Sequence, residues 1–217
     1  MISADNRTDY IIKLAELKRG DSVLTIGISN IPEIERIIEK RVKLCACIDL
    51  DKNKLNHAKK YLEKTKLIFA DILNPPKDIF GKFDTVIMLE VLEHIDNDSA
   101  VIKNIHKILK KNGKLILTVP NKHPLHLINP VKYTQHKRHY SMEDIIKILN
   151  NGQFKIDFTN TVESPKLIFD LYVHLFCKYI LNKNVPFAIL TGKKDSTYLK
   201  INKDSKGLDS LVVASKI

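Results

Sequence analysis

Three carboxylates in this sequence stand where short apolar runs stop: Asp49 after Val42 to Ile48, Asp71 after Leu67 to Ala70, and Glu90 after Phe83 to Leu89. An acid at the end of one strand can accept both hydroxyls of a ribose, and one at the end of the next can hold the amino group of an adenine. Taken singly, each acid is also what an ordinary polar strand terminus looks like; their joint placement is what points to a nucleoside. Beyond Glu90 stands His94, an imidazole able to take a proton near neutral pH. Its other reading is a helix-starting histidine with a structural hydrogen bond.

A second group, His123, His126, His136, Arg138, His139 and Tyr140, crowds a polar stretch. The two HxxH spacings invite a metal, but no nearby carboxylate or cysteine completes a tetrahedral set, so no metal is expected. Instead His136, His139 and Tyr140 join His94 as candidate catalytic groups around an acceptor pocket. The planar fork of Arg138 is suited to gripping a carboxylate or phosphate on a substrate.

The elements that must position these groups alternate β-branched runs with amphipathic helical stretches, the pattern of a parallel sheet covered by helices. A helix over 8–19 precedes strand one, Val23 to Ile26, which ends at Gly27. Pro32 to about Lys40 reads as a helix, Val42 to Ile48 as strand two, Asn53 to Glu63 as a helix and Leu67 to Ala70 as strand three. Strand four is Phe83 to Leu89. The next helix starts at Asp98 or Ser99, carries the stripe Val101, Ile102, Ile105, Ile108 and Leu109, and stops at Asn112-Gly113. Strand five is Lys114 to Val119. A long loop over 122–140 leads to a helix from Met142 to Leu149, with Ser141 as its N-cap and Asp144 three residues on. Phe154 to Phe158 and Leu211 to Ala214 supply strands six and seven.

The whole chain of 217 residues suits one domain, 1–217, with a cover at 121–150 and an apolar helical insertion at about 164–183. Its charge of +11 comes mostly from scattered lysines, few of them beside aromatic residues, so a solvated surface is expected rather than a nucleic-acid partner. Cys45, Cys47 and Cys177 read as buried thiols; Cys45 and Cys47 share strand parity and hence a face. No signal-peptide order and no apolar run of roughly 20 residues is present, so a cytoplasmic protein is expected. Read as a helix, Leu167 to Leu181 is apolar except for Asp170, His174 and Lys178. Burial, a homodimer contact, a wall for a lipid-like acceptor and a peripheral membrane anchor all fit that pattern.

The order VLTIGISN, CIDLD, FADI, FDTVIMLEVLEHI and LKKNGKLILTVPN resembles the class I S-adenosylmethionine-dependent methyltransferases, particularly those acting on small molecules, lipids and sugars. The resemblance covers roughly 20–160. It implies an α/β, doubly wound, mostly parallel seven-stranded sheet with helices on both faces, Rossmann-like, with S-adenosylmethionine as cofactor. It assigns Gly27 to close backbone approach at the methionine end and Asp49, with Leu50, to the ribose. Asp71 and Ile72 would meet the adenine, and Leu89 and Glu90 would line the wall near the sulfonium.

The cofactor loop departs from the family pattern: Thr25 stands where an acid is usual, and Ser29 and Ile31 stand where glycines are. Asn30 with Glu33 three residues later resembles a capping box, which implies a rebuilt turn. Glu33 and Glu35 in the first helical turn would repel a pyrophosphate and suit a cationic ligand that lacks phosphate. Methyl transfer to a small-molecule, lipid or sugar acceptor, most simply at oxygen, is therefore expected. The alternative is a catalytically inactive binding protein with a decayed cofactor loop.

Overall fold

The computed structural model describes residues 7–122, 138–163, 200–202 and 209–217. Within them the elements follow the expected order. They are α1 (Arg7–Ala15), β1 (Ser22–Ile26), α2 (Glu33–Ile38), β2 (Leu44–Asp49), α3 (Lys52–Ala58), β3 (Lys66–Phe69), β4 (Phe83–Leu89), α4 (Asp98–Ile108), β5 (Leu109–Pro120), α5 (Met142–Asn151), β6 (Phe154–Glu163), β7 (Lys200–Asn202) and β8 (Asp209–Lys216). Two single turns of 3-10 helix, Lys77–Ile79 and Leu92–His94, flank β4.

The strands form one sheet in the order β3-β2-β1-β4-β5-β8-β6-β7. Pairings from β3 through to β5 are parallel; β5 to β8, β8 to β6 and β6 to β7 are antiparallel. All seven expected strands are present, and the three-residue β7 extends the edge beyond β6.

Strand parity decides which helix covers which face. Val23 of β1, Cys45 of β2, Ile87 of β4 and Ile116 of β5 pack with α1 and α2 through Tyr10, Ile11 and Ile38. Cys47 packs with Leu55 and Ala58 of α3 on that same face. The alternate residues Leu24, Ile48, Met88 and Leu117 meet Ile102 and Ile105 of α4 and Ile145 and Leu149 of α5 on the other. Cys45 and Cys47 are thus buried thiols on one face, and burial pushes the Cys45 thiol up to about 12.

Element boundaries differ from expectation where a local polar group wins. The cap of α4 is Asn97, whose side chain accepts from the Ala100 amide. Leu109 is not the last member of the helical stripe but the first residue of β5, paired with Phe83 and fully buried. Asn112, at φ 60°, turns the strand rather than ending the helix. The capping box of α5, Ser141 with Asp144, forms as expected.

Candidate functional site

β1 and β4 are neighbours although β2 and β3 intervene in sequence, so successive crossovers leave β1 in opposite directions and a crevice opens between the two strand ends. A cavity of about 650 Å³ lies there, within the range typical of small-molecule sites. Gly27, Asp49, Leu89, Glu90 and His94 line it, together with Thr25, Val91, Lys54 and Glu35.

Gly27 is required twice over. Its φ is +83°, and a Cβ there would stand 2.5 Å from Val91 Cγ2. Its backbone therefore approaches the cavity as no side-chain-bearing residue could. Asp49 closes the same loop: Oδ2 accepts from the Ile28 amide at 2.7 Å and Oδ1 from the Asp51 amide at 2.7 Å. Each oxygen keeps a lone pair for a ligand hydroxyl.

The expected Asn30–Glu33 capping box does not form. Pro32 occupies the cap of α2 with no side-chain hydrogen bond, and the Ser29 hydroxyl donates instead to the Ile31 carbonyl. No positive φ occurs at Ile31, whose side chain is exposed. The loop is rebuilt, as expected, but by Ser29 and Asp49.

Glu90 sits at φ 53° and receives Arg7 Nη2 at 2.7 Å; the same nitrogen reaches Thr118 Oγ1 at 2.9 Å. Arg7 also lies 3.5 Å from Asp209, so α1 is tied to the ends of β4, β5 and β8. Nothing in the local sequence pattern marks Arg7. Behind His94 lies Glu93, fully buried, with neither carboxyl oxygen hydrogen-bonded and Oε1 3.8 Å from His94 Nε2. Burial first, and Glu90 second, push Glu93 up to about 8.

The remaining predicted residues fall elsewhere. Asp71 turns its Oδ1 to the Leu73 amide at 2.8 Å, Ile72 is buried in the core, and Leu50 is exposed; none of the three lines the cavity. Asn104 of α4 pins that loop by donating to the Ile72 and Leu73 carbonyls, both at 2.9 Å, a role without a sequence signal.

Arg138, expected at the acceptor pocket, is paired within the chain and does not line the cavity. It donates to Asp98 Oδ2 and to the Asp96 carbonyl, both at 2.6 Å, and buried Tyr140 donates to the same Asp98 oxygen at 3.1 Å. Burial and then the Asp98 charge push the Tyr140 phenol up, so the proton stays on its oxygen and is donated to Asp98. His139 is half-buried, and desolvation, then Lys122, push its imidazole down. It does not line the cavity. Expected site residue His136, as well as His123, His126, Cys177 and the 164–183 insertion, lie outside the described residues. Among the described residues no cluster of three or more metal-ligating groups occurs, and no helix is long and apolar enough to cross a membrane.

A doubly wound sheet with its cavity at the β1/β4 switch point is the architecture of the class I S-adenosylmethionine-dependent methyltransferases. A structure from Bacillus halodurans assigned as a methyltransferase superposes with a TM-score of 0.71 at 17% identity, covering 97% of this chain and 98% of that one. Magnesium protoporphyrin IX methyltransferase of Synechocystis, with bound S-adenosylhomocysteine, gives 0.61 at 16% identity, covering 97% and 80%. Both likenesses establish the fold. The family profile described as a methyltransferase domain matches residues 8–157, and the chain belongs to that family.

An uncharacterised protein of Methanocaldococcus jannaschii is 36% identical over 147 residues, 67% of this chain and 61% of that protein. The mitochondrial ubiquinone biosynthesis O-methyltransferase of Dictyostelium discoideum is 35% identical over 82 residues, 38% of this chain and 24% of that protein. The chain thus spans less than two thirds of the length of these relatives.

Proposed function

We propose that the protein is an S-adenosylmethionine-dependent methyltransferase acting on a small-molecule, lipid or sugar acceptor, most simply at an oxygen. The observation that carries this reading is the cavity at the β1/β4 switch point, with the Gly27 backbone exposed to it and Asp49 on its wall. The acids Glu33 and Glu35 beside it disfavour a pyrophosphate and suit a cationic ligand. An oxygen acceptor is favoured by the partial likeness to an O-methyltransferase.

When bound, S-adenosylmethionine supplies an electrophilic methyl group on a sulfonium. Asp49 accepts the ribose hydroxyls, and the Gly27 turn brings the backbone against the amino-acid end. His94, exposed on the cavity wall, takes the proton of an acceptor hydroxyl. Holding both partners in line contributes on the order of several kcal/mol to the acceleration.

Titration calorimetry with S-adenosylmethionine and S-adenosylhomocysteine tests the reading. Micromolar binding supports it. No heat at millimolar ligand refutes it and leaves the inactive binding protein, the reading that the substituted loop at Thr25, Ser29 and Ile31 favours.

A further inference from the structure

Glu35 projects from α2 toward the sheet, where a helix of this kind normally presents an apolar residue, as it does with the fully buried Ile38. It is 2% exposed, and its Oε2 has no hydrogen-bond partner. Beneath it on the sheet is Thr25, also buried, whose hydroxyl lies between Glu35 and Cys47 but makes no close hydrogen bond to either. Both line the cavity.

One turn further along, Glu39 shows what a structural carboxylate looks like in this fold. It accepts from the Glu63, Lys64 and Thr65 amides and from the Thr65 hydroxyl, at 2.8 to 3.3 Å. These donors outweigh the effect of burial and hold its carboxyl below the usual range. Glu35 has only its own backbone amide and the Thr25 hydroxyl to draw on, and burial outweighs both and pushes its carboxyl up. An unpartnered buried acid is costly, and such costs concentrate where a ligand later supplies the partner.

The other acids on this wall are already committed. Asp49 receives two backbone amides and Glu90 receives Arg7; Glu33 is exposed to solvent. Among the described residues, Glu35 is the buried acid of the cavity with an oxygen still lacking a donor.

We propose that Glu35 is the group that receives the α-ammonium of the cofactor's amino-acid portion. The role rests on the cofactor reading above and deepens it. The recognising charge comes from α2 rather than from β1, whose Thr25 hydroxyl lies beside it. Glu35 therefore selects ligands that carry an amino-acid tail over adenosyl ligands that lack one. It acts on binding, not on the proton of the acceptor.

The test is calorimetry of wild type, Glu35→Gln and Glu35→Met with two probes: S-adenosylhomocysteine, and 5′-methylthioadenosine, which lacks the amino-acid tail. Both variants are expected to lose at least tenfold in affinity for the first probe and to stay within twofold for the second, with unfolding midpoints equal to or above wild type. Unchanged S-adenosylhomocysteine affinity in a folded variant overturns the inference and leaves the cofactor reading intact. Equal losses for both probes also overturn it, since that is the signature of a collapsed pocket. If wild type binds neither probe, the cofactor reading falls, and this inference with it. Should Glu35→Gln fail to fold, Glu35→Met carries the same comparison.

Discussion

Arg7 Nη2 lies 2.7 Å from Glu90 Oε1, joining the first turn of α1 to the residue just after β4 across 83 positions of sequence. The same guanidinium binds Thr118 and approaches Asp209, so one cation joins β4, β5 and β8 and offsets both Glu90 on the cavity wall and Asp209. Replacing Arg7 by Ala leaves Glu90 and Asp209 facing each other without it. The half-exposed network limits the cost to about 1–2 kcal/mol of stability. Urea unfolding of Arg7→Ala at low and high salt measures it; an unchanged midpoint at low salt would show that α1 is held by its apolar face alone.

Glu93 supplies a pH dependence. Its carboxyl titrates at about 8 in the fold, against 4.5 for the unperturbed group. Between those values the unfolded chain ionises while the folded chain stays protonated, so this group's contribution is complete below pH 4.5 and is lost as pH rises toward 8. Glu93→Gln removes the titration. The variant should gain on wild type as pH rises, by on the order of 2–4 kcal/mol at pH 9. Parallel stability curves for the two proteins from pH 5 to 9 would contradict the assignment.

Gly27→Ala meets two separate obstacles, the positive φ and Val91. It should cost about 1–3 kcal/mol in urea unfolding and, on the proposed function, abolish S-adenosylhomocysteine binding in calorimetry. Adding Val91→Ala relieves the contact but not the backbone strain, so the double variant recovers only part of the lost stability. Full recovery would show that the φ constraint is unimportant.

Asp98 holds Arg138 and Tyr140 together at the base of the segment between β5 and α5. The Lys122 amide donates to the Tyr140 carbonyl at 2.8 Å beside them. Asp98→Ala leaves the buried Tyr140 hydroxyl without its acceptor and should cost about 2–3 kcal/mol. It should also lower the phenol's titration toward the ordinary tyrosine range, since burial is reinforced there by the Asp98 charge. Ultraviolet titration of the tyrosines follows the shift; a profile identical to wild type would remove Asp98 from this role.

Much of the candidate site was legible because strand ends are legible. Gly27, Asp49, Leu89 and Glu90 each stand at or just past the end of a strand, and a parallel sheet brings the carboxyl ends of its strands to one edge. Asp71 and Ile72 follow a strand as well, yet they miss the cavity, because the loop after β3 folds back onto Asn104 of α4. The sequence places Arg138 and Tyr140 in a polar stretch beside the expected acceptor pocket, but it does not show what they bind within the fold. Their partner, Asp98, is a surface-looking helix start some 40 residues earlier.

Sequence by itself determined the sheet, the helices on its two faces and the edge at which the cavity opens, since apolar periodicity records which side of each element must leave water. Tertiary structure decided which charges are satisfied. Glu33 and Glu35 are alike in sequence, two acids in one helical turn, but the packing of α2 on β1 leaves Glu33 in solvent and seals Glu35 over Thr25. Arg7, likewise, finds Glu90 only because the strand order places β4 under α1. Periodicity carries no record of such pairings, because the free energy of a charge depends on what surrounds it in space rather than on its neighbours along the chain.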